Sequence, residues 1–166
     1  MKEFSIPTLD EIINHCKKYK SEKKRIVFTN GCFDILHSGH VDYLSKAKAV
    51  GDILIVAINS DESVRRIKDE KRPILNENDR AFLVQNLKSV DHVFLFNEDT
   101  PAKVIKVILP DVLVKGADWD ENNIVGRDTV VNNGGSIERI DFVSQLSTSK
   151  IIDTILSRYS NFFTKP

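Results

Sequence analysis

His37 and His40 stand three residues apart in the run Thr29-Asn30-Gly31-Cys32-Phe33-Asp34-Ile35-Leu36-His37-Ser38-Gly39-His40, which leaves a short apolar stretch and enters a segment with helical spacing. At a helix entrance that spacing turns both imidazoles toward one side, and Gly39 between them leaves room for a nucleotide. Imidazoles so placed can donate hydrogen bonds to phosphate oxygens as negative charge builds on the phosphorus. Gly31 lets backbone amides approach a ligand, and a helix beginning at Ser38 offers free N–H groups and a positive dipole end to the same anion. Two isolated histidines could equally cap or solvate a helix, so the neighbouring residues decide their meaning.

A second helix start is rich in hydroxyls, Leu146-Ser147-Thr148-Ser149-Lys150. Ser147 or Thr148 can cap that helix, leaving the first-turn amides and the other hydroxyl for phosphates; ordinary capping explains the pair about as well. Lys68 falls in a polar loop after the second apolar run and Arg80 near the first turn of a helix, each a charge stabiliser or a solvated cation. In Lys115-Gly116-Ala117-Asp118, Gly116 permits close backbone approach. Asp118 accepts from ligand hydroxyls, helps hold a metal or shapes the loop. Asp34 and Asp61 orient a ligand or form turns, while Trp119 is expected to pack its loop.

These residues need a frame. Apolar runs at Ile26–Phe28, Ile53–Ile58, Val93–Phe96 and Val112–Val114 suit strands buried on both faces. Helical spacing separates them at Val41–Val50, Ala81–Leu87 and Val104–Ile108. A helix opens with a capping-box spacing at Thr8-x-x-Glu11, Thr100-Pro101 supplies a cap and first-turn proline, and Gly51 can end its helix in a left-handed turn. Asn132-Asn133-Gly134-Gly135 forms a turn before a last strand, Ile137–Ile140, and Ile151, Ile152, Ile155 and Leu156 mark a closing helix. The alternation predicts an α/β fold: a single Rossmann-like doubly wound parallel sheet of about five strands with helices on both faces. Its ligand site lies at the carboxyl ends of the strands. The expected division is an N-terminal helical extension over 1–22, the main domain over 23–157 and a tail over 158–166.

A chain of 166 residues, 41% hydrophobic, suffices for one such domain with a sizeable core. Lys+Arg and Asp+Glu both number 24, so no general charge excess favours nucleic acid or an anionic membrane, and phosphate binding must be local. Met1–Asp10 lacks a signal-sequence core and no stretch matches a membrane span, giving an expectation of a cytoplasmic protein. Cys16 and Cys32 have no metal or redox spacing and are expected to be reduced thiols.

Gly31-x-Phe33-Asp34-x-Leu36-His37-x-Gly39-His40 resembles the signature of the nucleotidyltransferase superfamily that includes the cytidylyltransferases, and Ser147-Thr148-Ser149 is similar to the motif opening that family's last helix. Asn59-Ser60-Asp61, Lys68 with Arg72-Pro73, Glu77-x-x-Arg80, Glu98-Asp99-Thr100-Pro101, Leu109-Pro110-Asp111, Lys115-Gly116-x-Asp118 and Ile124-Val125-Gly126 follow in order and resemble the adenylyltransferase half of bacterial ADP-heptose synthases. The resemblance implies AMP transfer from ATP to D-glycero-D-manno-heptose 1-phosphate, with magnesium held mainly by phosphates and no dedicated protein metal cage. It implies a nucleotide wall at Thr29, Gly31 and Phe33, with Asn30, Gly39, Lys115, Gly116, Asp118, Ser147, Thr148 and Ser149 also at the nucleotide. His37, His40, Lys68 and Arg80 become the catalytic set, in a homodimer served by separate kinase and phosphatase enzymes. Phe142-Val143-Ser144-Gln145 lacks the Arg-Thr-x-Gly of the choline, ethanolamine and glycerol-phosphate enzymes, favouring the heptose branch. Asp153-Thr154 replaces the usual basic residue, and Asp69 follows Lys68 where glycine is usual. A glycerol 3-phosphate cytidylyltransferase and a non-catalytic nucleotide-binding module are the alternatives.

Overall fold

Each apolar run becomes a strand in the computed structural model, which describes residues 5–141 and 146–159. The strands are β1 (Ile26–Gly31), β2 (Ile53–Asn59), β3 (His92–Phe96), β4 (Val112–Gly116) and β5 (Ser136–Ile140). All pair in parallel, in the order β3-β2-β1-β4-β5. The connecting helices are α1 (Leu9–Ser21), α2 (Ser38–Ala49), α3 (Asp61–Ile67), α4 (Glu77–Gln85), α5 (Ala102–Ile108), α6 (Arg127–Asn132) and α7 (Thr148–Tyr159), with a 3-10 turn at Glu121–Asn123. The expected α/β fold with a five-stranded parallel sheet is the one observed.

Every residue of β2 and the first four of β1 are buried, because helices cover both faces. Successive strand residues alternate between two cores. Phe28, Ile55 and Leu113 join Ile12 and Cys16 of α1, Val104, Ile105 and Ile108 of α5, and Val130 of α6. Val27, Val56 and Val114 join Tyr43, Leu44 and Ala47 of α2, and Ala81 and Val84 of α4. The N-terminal helix is therefore part of a core. Its start carries the expected capping box, with Thr8 N–H donating to Glu11 at 2.7 Å and Glu11 N–H to Thr8 Oγ1 at 3.3 Å.

Two local expectations are corrected. Gly51 is not left-handed: α2 ends on Val50 at φ −93°, and Gly51 is needed for space, since a Cβ there would meet Val27 Cγ2 at 2.5 Å and Arg25 O at 2.9 Å. Thr100 does not cap α5; Pro101 occupies the N-cap position, with no side-chain hydrogen bond. The turn before β5 does use a left-handed glycine, Gly134 at φ +81°. Both thiols are free, Cys16 buried and Cys32 half-buried. Among the described residues no helix is long and apolar enough to cross a membrane. The Phe142-Val143-Ser144-Gln145 segment and residues 160–166 of the expected tail lie outside the described residues, while α7 runs on to Tyr159.

Candidate active site

The sheet opens where its connections change direction. β1 pairs with β4 only through Val27↔Val112 and Phe28↔Leu113; beyond them Gly31 follows β2 and Gly116 follows β5. The carboxyl ends of β1 and β4 thus border a crevice at the topological switch point. Across it, Lys115 Nζ donates to Asn30 Oδ1. Burial brings the Lys115 ammonium down to about 8. Its Nζ lies 5.8 Å from the Trp119 ring centroid, and Trp119 is 49% exposed rather than packed into its loop. Asp118 is exposed one residue before it. Thr29 is fully buried, with its hydroxyl 2.8 Å from that of Tyr43, so it shapes the wall from behind.

The loop leaving β1 has an unusual backbone. Phe33 at φ +50° and Ile35 at φ +51° are left-handed on both sides of Asp34, each at a cost of about 1 kcal/mol for a residue with a Cβ. Asp34 holds this conformation. Its buried carboxylate accepts from Arg72 Nε at 2.7 Å, Ile74 N–H at 2.9 Å and Leu75 N–H at 3.0 Å, and its carbonyl accepts from the Thr148 hydroxyl. Burial pushes the Asp34 carboxyl up, but the amides of Leu75 and Ile74 and the Arg72 guanidinium outweigh it and hold the group below its ordinary value. Gly31 sits under the Phe33 ring, which a Cβ would approach to 3.1 Å.

The loop delivers His37 to the N-cap of α2 without a side-chain cap, so capping does not explain this histidine. The His37 and His40 rings stack with centroids 3.9 Å apart and planes at 25°, and the Phe33 ring meets His40 at 5.3 Å. Both Nδ1 atoms are buried without a hydrogen-bond partner among the described residues. Burial lowers His37; burial and the neighbouring His37 bring His40 down to about 4. Both shifts favour the neutral imidazole, and a bound anion would act against them. The Ser38 and Gly39 amides make no backbone hydrogen bond among the described residues, leaving them for an anion.

At α7, Ser147 Oγ accepts from Lys150 N–H at 3.2 Å and is the capping hydroxyl. Thr148 is buried and tethered to Asp34, so its hydroxyl is not the spare one; Ser149 is exposed beside it. The Thr148 tether brings the second phosphate-type helix start to the histidine loop.

Lys68 keeps its expected setting and Arg80 does not. Lys68 is exposed at the start of the loop after α3, as its C-cap residue; the short helix between β2 and that loop is absent from the sequence reading. Arg80 is fully buried instead of solvated. Its Nε donates to Leu75 O, Nη1 to Cys32 O, and Nη2 to Asn59 O at 2.8 Å and Asp61 at 2.7 Å, committing four of its five donors to the frame. Sequence reasoning missed Tyr43 and the site position of Arg72, although Arg72-Pro73 stood among the matched motifs. A surface cavity of about 600 Å³ also borders the ends of β2 and β3. It excludes both histidines, and its carboxylates, Asp61, Glu62 and Glu77, make it a poor triphosphate site.

A parallel sheet with a crevice at its switch point brings two helix starts and a stacked histidine pair to one loop of an α/β fold, a set of groups able to donate to an anion. The chain belongs to the cytidylyltransferase-like family, whose model matches residues 28–153. It is 51% identical over 154 residues to the bifunctional protein HldE of Citrifermentans bemidjiense, covering 93% of this chain and 32% of that protein. With the bifunctional protein HldE of Geobacter metallireducens it shares 49% identity over 154 residues, 93% of this chain and 31% of the other. The chain therefore spans about a third of the length of these curated relatives. The crystal structure of the lipopolysaccharide core biosynthesis protein from Thermoplasma volcanium GSS1 is similar at 32% identity and a TM-score of 0.61, over 75% of this chain and 99% of that one.

Proposed function

We propose that the chain transfers AMP from ATP to D-glycero-D-manno-heptose 1-phosphate, giving ADP-heptose and pyrophosphate. The observation that carries this reading is the stacked His37–His40 pair, whose two buried Nδ1 atoms have no described protein partner. Buried polar atoms are ordinarily satisfied, and a bound triphosphate supplies the missing acceptors. The motifs shared with ADP-heptose synthases support adenosine as the nucleoside and the heptose phosphate as acceptor. The naming of the structural relative for lipopolysaccharide core biosynthesis supports the same setting.

In this reading the acceptor phosphate oxygen attacks the α-phosphorus in line, a bond forms to that oxygen, and the bond to the β-phosphate bridging oxygen breaks as pyrophosphate leaves. The two imidazoles donate to the oxygens gaining charge, and the first-turn amides of α2 and α7 hold the triphosphate. Lys68 supplies mobile positive charge, whereas Arg80 positions Cys32, Asn59 and Leu75 without touching substrate. Magnesium held mainly through the ATP phosphates would supply charge neutralisation for the leaving pyrophosphate. Asp118, Lys115 and Gly116 border the nucleoside end of the crevice. The protein works in the cytoplasm as a homodimer, and kinase and phosphatase reactions prepare the acceptor.

Pyrophosphate release with magnesium, comparing ATP and CTP against heptose 1-phosphate and glycerol 3-phosphate, tests the reading. The expected outcome is turnover with ATP plus heptose 1-phosphate alone, falling about 10²–10³-fold in His37→Ala. Turnover with CTP plus glycerol 3-phosphate would contradict it, as would triphosphate binding without transfer to either acceptor.

A further inference from the structure

We propose that Arg72 is the clamp for the acceptor's own phosphate, its guanidinium aimed by the buried carboxylate of Asp34; the assignment rests on the nucleotidyl-transfer reading above. An acceptor that attacks through a phosphate oxygen must bring one polyanion against another, so the site needs cations with donors to spare. Among the described residues, Arg72 and Arg80 donate to the histidine loop, Lys115 to the strand end leading into it, and Lys68 stands at the end of α3. Arg80 is fully buried with four of its five donors on Leu75, Cys32, Asn59 and Asp61, and Lys115 is buried against Asn30. Lys68 is exposed on the end of α3 and offers a mobile point charge.

Arg72 alone presents a fixed fork. Its Nε is held on Asp34 Oδ2 at 2.7 Å, while both Nη groups lack a partner among the described residues and keep access to solvent in a side chain only 13% exposed. A guanidinium anchored through Nε keeps two parallel donors that match two oxygens of a phosphate. The location fits as well. Asp34 carries Arg72 at its carboxylate and α7 at its carbonyl, so the acceptor clamp and the triphosphate helix are tied to one residue of the histidine loop.

The assignment predicts a split between substrates. Arg72→Ala should raise the KM for heptose 1-phosphate about 30-fold or more, the loss of a bidentate charged contact, while the KM for ATP changes less than about 3-fold. Arg72→Lys retains charge and a donor for Asp34 but loses the fork. It should fold like the unaltered protein by thermal unfolding and still raise the acceptor KM about 5-fold or more. If Arg72 only braced the loop, the KM for ATP would rise in parallel in Arg72→Ala and Arg72→Lys would be silent; either result overturns the clamp while leaving the function intact. Calorimetric titration of heptose 1-phosphate into protein saturated with a non-hydrolysable ATP analogue separates the two readings. Binding by the unaltered protein that weakens in Arg72→Ala supports the clamp, equal binding by both overturns it, and no binding by the unaltered protein overturns both the clamp and the acceptor assignment.

Discussion

His40 shows how a phosphate site acts on the protein before any phosphate arrives. Its imidazole is stacked on His37, edged by Phe33 and buried enough to bring its value down to about 4. In the unfolded chain the same group titrates near 6.5. The depressed folded value means the unfolded state binds the proton first: the ligand-free protein keeps full stability from this group above about pH 6.5, loses it as pH falls toward 4, and loses no more below that. Denaturant unfolding at pH 7.5 and pH 4.5 should show His40→Gln losing less than the unaltered protein, by on the order of 2 kcal/mol. An equal loss in both would remove His40 as the source. The histidine spacing was legible in the sequence because four consecutive positions set it. The stacking and the missing Nδ1 partners were not, since they depend on the left-handed backbone at Phe33 and Ile35, neither of them a residue that signals such a turn.

At the scale of elements, the site is a meeting of segments distant in sequence. Thr148 opens α7 and donates to Asp34 in the loop after β1; Arg80 on α4 donates to carbonyls of Cys32, Asn59 and Leu75. Replacing Thr148 by Val keeps its shape but leaves the Asp34 carbonyl unsatisfied. The expected cost is about 1–2 kcal/mol in denaturant unfolding. Because the tether brings the α7 amides to the loop, the KM for ATP should also rise about 5- to 10-fold. Ser147→Ala, which removes only a helix cap, should cost about 1 kcal/mol and leave the acceptor KM unchanged. The five strands and long helices were readable because continuous apolar runs and 3.6-residue spacing are local signals. The short helices α3 and α6 carry too little periodicity to register, although the loop that begins at Lys68 was legible from its polar residues. Arg80 illustrates the opposite difficulty: arginine is usually exposed, and nothing local announces one whose partners come from four other segments.

For the whole molecule, a chain with 24 basic and 24 acidic residues binds polyanions through placement rather than charge excess. The parallel sheet separates β1 from β4 only at their carboxyl ends, and helix starts, histidines and Arg72 gather around the loop leaving β1. The fold class and the crevice's place in it followed from strand–helix alternation alone. Which cations reach the crevice followed only from the folded chain, which turned Arg80 inward and left the Arg72 fork open. The most direct measurement is phosphorus NMR of the purified protein with magnesium, ATP and heptose 1-phosphate. The account predicts the paired resonances of a nucleotide diphosphate sugar and an equal amount of pyrophosphate, both forming about 10²–10³-fold more slowly with His37→Ala. ATP consumed without the diphosphate sugar appearing, or both substrates unchanged, would contradict it.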